Sequence, residues 1–220
     1  MTFKTLALAS TMLTGLASLA TAEELRFDDG KILPVYDTLH LLSDAQFSQL
    51  MQVYMAYFNR APDSEGLSFW ADKLATGMDM KTIANYFFDQ PETRSFYSDP
   101  NDPEVFVTEV YDNVLGRIPD AAGKAFWIKM IKEGHSTQGE FVLDILGGIQ
   151  AGSPDASYIE QKTDLGALYG GVFGMNNVQD ASDVFQIFGG ADEQNLQQAK
   201  NYIYDTYFAI NPQQEPGLLI

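Results

Sequence analysis

Two stretches of the chain repeat each other and decide the fold. Residues 54–70 read YMAYFNRAPDSEGLSFW, and residues 111–127 read YDNVLGRIPDAAGKAFW. The Tyr, Arg, Pro, Asp, Gly, Phe and Trp of the first stretch recur in the second without a gap, at the step from Arg60 to Arg117. Because both Trp residues of the chain are among the matches, we interpret the two stretches as copies of one structural unit with a period of about 57 residues.

Each copy has the pattern of a helix, a tight turn and a second helix. Apolar residues recur at helical spacing before the turn. Pro62 and Pro119 then end the first helix, because proline lacks an N–H group and disfavours helical geometry in the residue before it. Asp63 and Asp120 follow at the position of an N-cap, where a carboxylate accepts the free N–H groups of the next helix.

The second helix of each copy carries a glycine and a tryptophan at fixed positions. Gly66 and Gly123 fall in its first turn, where glycine lowers helix propensity, so we expect a neighbouring backbone or aromatic ring to approach closely there. Trp70 and Trp127 lie four residues before an aliphatic side chain on the same face, which is typical of a core position.

A third helix completes each copy, over Met80 to Phe88 and over Gln138 to Ile149. A weaker third copy begins at Tyr169, where Tyr-Gly-Gly-Val-Phe-Gly follows Tyr111 by 58 residues but the Pro-Asp and Phe-Trp elements are missing. The sequence therefore predicts an all-α fold of tandem three-helix repeats with a degenerate C-terminal unit. A short N-terminal β-hairpin around Asp28–Gly30 is a further expectation.

These features divide the chain into five segments. The expected boundaries are a signal peptide at 1–22, a lead-in at 23–46, repeat 1 at 47–101, repeat 2 at 102–152, and a degenerate repeat 3 with a C-terminal helix at 153–220.

The first 22 residues have the pattern of a secretory signal. Lys4 supplies the positive start, residues 6–19 form the apolar stretch, and Ala20-Thr21-Ala22 is a small-x-small cleavage pattern. The apolar run is shorter than the ~20 residues that span a bilayer. We expect export and cleavage, with a periplasmic, cell-surface or secreted location and no transmembrane segment in the mature chain.

The composition excludes several functional classes. The 220 residues include 30 acidic and 13 basic side chains, a formal net charge of -17, and no Cys. Such an acidic chain is poorly suited to binding nucleic acid or an anionic membrane. The absence of Cys excludes disulfides, thiol catalysis and Cys-ligated metal. With 45% apolar residues, the chain should nevertheless fold.

Residues 59–70 and 114–127 resemble the motif of the domain of unknown function 4214 family, in which Gly-Arg-x-Pro-Asp-x-x-Gly precedes an aromatic residue and Trp. The resemblance covers about residues 47–150. It implies an all-helical module of exported and cell-surface bacterial proteins, and it supplies no catalytic residues.

The repeated polar and aromatic residues have structural and functional interpretations. We interpret Arg60 and Arg117 as latches that bond the last carbonyls of the preceding helix and the cap Asp. Trp70 and Trp127 would instead be sugar-stacking platforms if they were exposed beside two carboxylates.

Motifs for metal binding and catalysis are lacking. Calcium is the cofactor that an acidic exported chain could bind. The nearest candidate loop, Asp99–Glu104, has Pro103 at a ligand position and no following Gly, so the sequence contains no calcium-binding loop motif. We expect that run to be a link that caps the helix starting near Pro103. The two histidines, His40 and His135, form no zinc or nucleophile motif.

The sequence thus favours an exported, non-catalytic interaction or scaffold module that binds a protein or a surface polysaccharide. Two alternatives stay open. One is a carbohydrate-active enzyme or lectin that uses the Trp residues and paired carboxylates, and the other is a calcium-dependent structural protein.

Overall fold

The computed structural model describes residues 25–26, 32–33, 39, 41–190 and 192–212. Within these ranges the fold is all-α, as predicted. The signal segment 1–22, the hairpin turn Asp28–Gly30 and His40 lie outside the described residues. Ahead of the helices, β1 (Leu25–Arg26) and β2 (Ile32–Leu33) pair antiparallel, with Leu25 opposite Leu33.

Unit 1 contains the first copy of the motif. Its helices are α1 (Asp44–Phe58), α2 (Ser64–Ala75), α3 (Met80–Phe88) and the short α4 (Pro91–Phe96). The sequence pattern predicted three helices for each repeat, so it missed the fourth helix, α4. Proline at the first helical position is compatible with a helix because that N–H has no partner in any case.

Unit 2 repeats the order of the first three helices. It consists of α5 (Pro103–Leu115), α6 (Ala121–Lys132) and α7 (Gln138–Gly148). Asp102 caps α5 by accepting from the Glu104 N–H, so the acidic run before it is a capping link, as expected. Ile149, predicted as the last helical residue of α7, is its extended C-cap.

Unit 3 keeps the same order without the motif. Helix α8 (Pro154–Gly166) continues as a π-helical segment (Ala167–Val172), followed by α9 (Val178–Phe188) and α10 (Glu193–Ile210). Gly174 has a positive φ of 63°, as Asn59 and Gly116 do at the corresponding ends of α1 and α5. The degenerate copy is therefore a helix, turn, helix, link and helix like the others.

Helix α1 lies at the centre of the fold, in contact with α2, α3, α4, α5, α7 and α8. Its C-terminal half is buried on all sides from Val53 to Phe58. Hydrogen bonds join it to other helices: Asn113 Nδ2 of α5 donates to the Ala56 carbonyl at 2.6 Å, and the Tyr57 hydroxyl donates to the Gly139 carbonyl of α7 at 2.6 Å. All three units thus share one core.

No described helix is both long enough and apolar enough to cross a bilayer.

Candidate functional site

The turn between α1 and α2, residues 59–63, is here called turn 1. Arg60 is buried in it, and its guanidinium bonds two carboxylates: Nη1 to Asp63 Oδ2 at 3.0 Å, and Nε to Glu92 Oε1 at 2.6 Å. Nη1 also donates to the Ala61 carbonyl at 3.1 Å. The latch interpretation needs one correction, because the second partner is α4 instead of the carbonyls that end α1.

Asp63 is the N-cap of α2, and its Oδ1 accepts from the Gly66 N–H at 2.7 Å. Its Oδ2 also accepts from the Tyr54 hydroxyl at 2.5 Å. Burial alone would favour the neutral carboxyl, but these hydrogen bonds and the Arg60 charge outweigh it and lower the pKa of Asp63. The motif Tyr, Arg and Asp of unit 1 therefore form one hydrogen-bonded network around an ionised carboxylate.

The corresponding turn between α5 and α6, residues 116–120, is here called turn 2. Asp120 caps α6 through the Gly123 N–H at 2.8 Å. The latch interpretation is wrong for Arg117, whose guanidinium bonds neither Asp120 nor the carbonyls that end α5. It makes a two-bond ion pair with Asp155 of α8, with Nε to Oδ1 at 2.8 Å and Nη2 to Oδ2 at 2.7 Å. The Arg117 side chain is 45% exposed, against 6% for Arg60, so the two latches lie in different environments.

Unit 3 covers turn 1 directly. The Ala61 N–H donates to the Ala181 carbonyl and the Ser64 N–H to the Met175 carbonyl, both at 3.0 Å. Gly170 of the π-helical segment lies against Pro62, and a Cβ at Gly170 would overlap the Pro62 carbonyl oxygen. Turn 1 is therefore an internal interface.

Unit 3 also reaches turn 2, through the Tyr158 ring beside Gly116 and through Asp155, but it leaves Ile118 open. Ile118, which corresponds to the fully buried Ala61, is 73% exposed. In the fully described helix α6 that follows, no residue is buried, whereas α2 buries Ser64, Leu67, Ala71 and Leu74. The two copies of the motif therefore differ in burial, because the first is packed against unit 3 and the second is largely exposed.

The expected close approach to the motif glycines is confirmed at Gly66, which lies against a tyrosine hydroxyl, but not at Gly123. A Cβ on Gly66 would be 2.5 Å from the Tyr54 hydroxyl oxygen, and one on Gly123 would be 3.5 Å from that of Tyr111. The first distance excludes a side chain, while the second is ordinary contact.

An aromatic surface patch, defined by Phe69, Trp70 and Tyr86, lies on unit 1. Phe69 is 52% exposed and Tyr86 51% exposed, while Trp70 is half-buried between them and the core ring of Phe87. Lys73 Nζ lies 5.0 Å from the centre of the Phe69 ring. In unit 2, Leu143 replaces the tyrosine, so only unit 1 carries the complete patch.

Trp127 is likewise half-buried, and its indole N–H donates to the Tyr111 hydroxyl at 3.0 Å. Neither Trp is fully buried in the core, and neither is presented flat and open as the sugar-platform interpretation requires. The motif residue that is open to solvent in both copies is the preceding Phe, since Phe126 is 53% exposed.

The described acidic side chains form no group of three or more with His or each other that could hold a metal ion. Asp180 and Asp183 share one partner, the Tyr202 hydroxyl, at 3.1 and 3.2 Å, which ties α9 to α10. His135 is exposed, with Glu133 3.5 Å away. These contacts tie helices together and point to no catalytic arrangement.

Lys162 is a buried residue that the sequence analysis did not single out. Its Nζ donates to the Asn113 carbonyl at 2.8 Å, to Asn113 Oδ1 at 3.1 Å and to Asn59 Oδ1 at 3.3 Å, so it links α8 to the ends of α1 and α5. Burial lowers the pKa of Lys162 to about 7, although nearby Asp112 opposes the shift. A lone Lys between polar residues gave no sequence signal for this role.

This pKa predicts a pH-dependent stability. Between about pH 7 and the ordinary lysine pKa of 10.5, the unfolded chain holds a proton on Lys162 that the folded chain has released. Stability should therefore rise with pH, by about 2 kcal/mol between pH 7 and 9. Urea unfolding at those two pH values measures the rise. Lys162→Met should flatten it, and an unchanged slope in that variant would contradict the assignment.

The acidic partners of the two latches were also missed. Glu92 and Asp155 lie 32 and 38 residues after their arginines, but each follows a proline that begins a helix, Pro91 and Pro154. An acid at that position is stabilised by the helix dipole. A proline followed directly by an acidic residue was therefore the sequence signal that could have identified these two partners.

A comparison with known families gives one result. A family model described as "Domain of unknown function (DUF4214)" matches residues 37–97 and again residues 84–148. Together the two matches span slightly more than half of the chain. No curated protein and no solved structure matches the chain.

Proposed function

We propose, from the premise that this chain belongs to the DUF4214 family, that it is a non-catalytic interaction module exported to the bacterial periplasm, surface or medium. Its partner is a protein or a surface polysaccharide. The signal pattern of residues 1–22 supports export. The observation that carries the binding proposal is the aromatic patch of Phe69, Trp70 and Tyr86.

The patch has the properties of a recognition surface. Phe69 and Tyr86 each leave about half of their surface in water, a position that adds little to the core. Aromatic side chains are enriched at binding interfaces because they bury a large rigid surface at low entropic cost. Lys73 and Asp72 at the patch edge form an ion pair at 3.6 Å and supply polar contacts at its rim.

A carbohydrate-active enzyme is the alternative proposal, and it requires two carboxylates beside a sugar-stacking ring. Asp180 and Asp183 are held by Tyr202 in unit 3, whereas the aromatic patch belongs to unit 1. We therefore favour binding over hydrolysis, and binding at the patch invokes no cofactor.

The test compares two variants of the mature chain. Protein recovered from the exported fraction, which should begin at Glu23, is used as bait for envelope proteins and for purified surface polysaccharides. We expect Phe69→Ser combined with Tyr86→Ser to weaken binding by about 10-fold or more. Phe126→Ser removes an equally exposed ring from unit 2 and should leave binding unchanged. Equal binding by all three proteins, or release of product from the polysaccharide, would refute the proposal.

A further inference from the structure

Helix α6 differs in charge from the rest of the molecule. It carries Lys124, Lys129 and Lys132 and no acidic residue, in a chain whose net charge is -17. Its counterpart α2 carries Glu65, Asp72 and Lys73. The motif helix that unit 3 leaves uncovered is therefore also the basic one.

The outward side of α6 combines this charge with apolar surface. We name it the α6 face and define it by Ile118, Phe126, Lys129 and Lys132. Ile118 and Phe126 are the exposed apolar members, and the Lys129 and Lys132 side chains are 68% and 57% exposed. The acidic groups near these lysines are Glu133, 3.9 Å from Lys129, and Glu104, 3.7 Å from Lys132, both well exposed. Exposed pairs of this kind contribute little energy and are readily exchanged for other partners.

One position of the α6 face has a covered counterpart in unit 1: Ala61, the counterpart of Ile118, is fully buried, whereas Phe69, the counterpart of Phe126, is exposed. Turn 1 is covered by protein, namely unit 3, which supplies carbonyl acceptors at Met175 and Ala181 to two backbone N–H groups. An aliphatic residue as exposed as Ile118 also suits a protein surface better than a sugar. A protein partner is thus favoured over a polysaccharide.

Charge complementarity indicates which protein surface binds the α6 face. Residues 153–220 contain nine acidic and two basic side chains, and one of those two, Lys162, is buried. Unit 3 therefore has the largest net negative charge of the three units, and its α9 carries Asp180, Asp183 and the half-exposed Val178 but no base. The negative charge of unit 3 is complementary to the positive charge of the α6 face.

We propose that the α6 face binds the acidic surface of unit 3 in a second copy of this chain, so that the protein self-associates. The contact joins two different surfaces, and each copy can donate one and accept with the other. This inference goes beyond the proposed function, because it uses a helix of unit 2 and not the aromatic patch.

The test is the oligomeric state of the mature chain in sedimentation velocity. At ~20 mM salt and ~100 μM protein we expect masses above that of the monomer, and at ~500 mM salt a shift to monomer, because the contact is partly electrostatic. A monomer at ~100 μM in low salt would overturn the proposal.

Variants locate the contact. Lys129→Glu combined with Lys132→Glu, and separately Phe126→Ser, should each weaken association by about 10-fold or more. The matched controls in unit 1, Lys73→Glu with Lys81→Glu and Phe69→Ser, should leave it unchanged. Association that persists in the α6 variants, or that is lost equally in the controls, contradicts the assignment. Circular dichroism tests whether each variant is folded. Because the substituted side chains are exposed, we expect both α6 variants to keep the helical spectrum of the unmodified protein.

The same variants separate this inference from the proposed function. If the Phe69→Ser, Tyr86→Ser variant loses partner binding but still self-associates, the result concerns only the proposal for the aromatic patch. If the α6 variants lose self-association but still bind the partner, the result concerns only the proposal for the α6 face.

Discussion

Replacing Arg60 by Met is expected to lower the free energy of unfolding by about 3–5 kcal/mol, because it leaves the carboxylate of Asp63 buried without its cation. The loss includes the hydrogen bonds to Glu92 Oε1 and the Ala61 carbonyl. Since these contacts join turn 1 to α4, the C-terminal end of α1 should loosen as well. Urea or thermal unfolding of the purified variant measures the change.

Arg117→Met is the matched control in the other copy of the motif. Its ion pair with Asp155 is partly exposed, so the expected loss is about 1 kcal/mol or less. Equal losses in the two variants would show that burial by unit 3 does not distinguish the two latches. A second comparison, Asp63→Asn, should cost less than Arg60→Met, because Arg60 keeps its ion pair with Glu92.

Replacing Gly170 by Ala is expected to destabilise the protein by about 3 kcal/mol, since the new methyl group would overlap the Pro62 carbonyl oxygen. The obstacle is backbone, which cannot rotate away as a side chain can. The predicted consequence is separation of the π-helical segment from turn 1, with loss of the hydrogen bonds from Ala61 and Ser64 to unit 3.

Gly147→Ala controls for helix propensity. Gly147 lies in α7 with open space where its Cβ would be, so alanine there should raise stability by up to about 1 kcal/mol. Melting temperatures of the two variants should therefore move in opposite directions. A neutral Gly170→Ala variant would mean that the contact with Pro62 yields without loss.

Features that depend on neighbours in the chain were predictable. Asp63 and Asp120 were predicted as caps, and each accepts a hydrogen bond from the N–H three residues further on. The helices from Met80 and from Gln138 begin where the sequence indicates.

Features that depend on distant partners were not predictable from the motif. Arg60 and Arg117 are the same residue in the same pattern, yet one is buried with Glu92 and the other is half-exposed with Asp155. Lys162 meets Asn59 and Asn113, which are 103 and 49 residues away. No local periodicity encodes such pairings.

The sequence by itself determined the helices, their caps, the repeat and the acidic, Cys-free character of the chain, because these rest on composition and on contacts within about one helical turn. The tertiary structure alone decided that unit 3 covers Ala61 in turn 1, whereas Ile118 in turn 2 and the outward side of α6 are exposed. The physical reason is that burial depends on the surface that a neighbouring element supplies. The glycines and carbonyls of unit 3 fit Ala61, Pro62 and Leu67, while in unit 2 the positions of Ala61 and Leu67 hold the larger Ile118 and the charged Lys124.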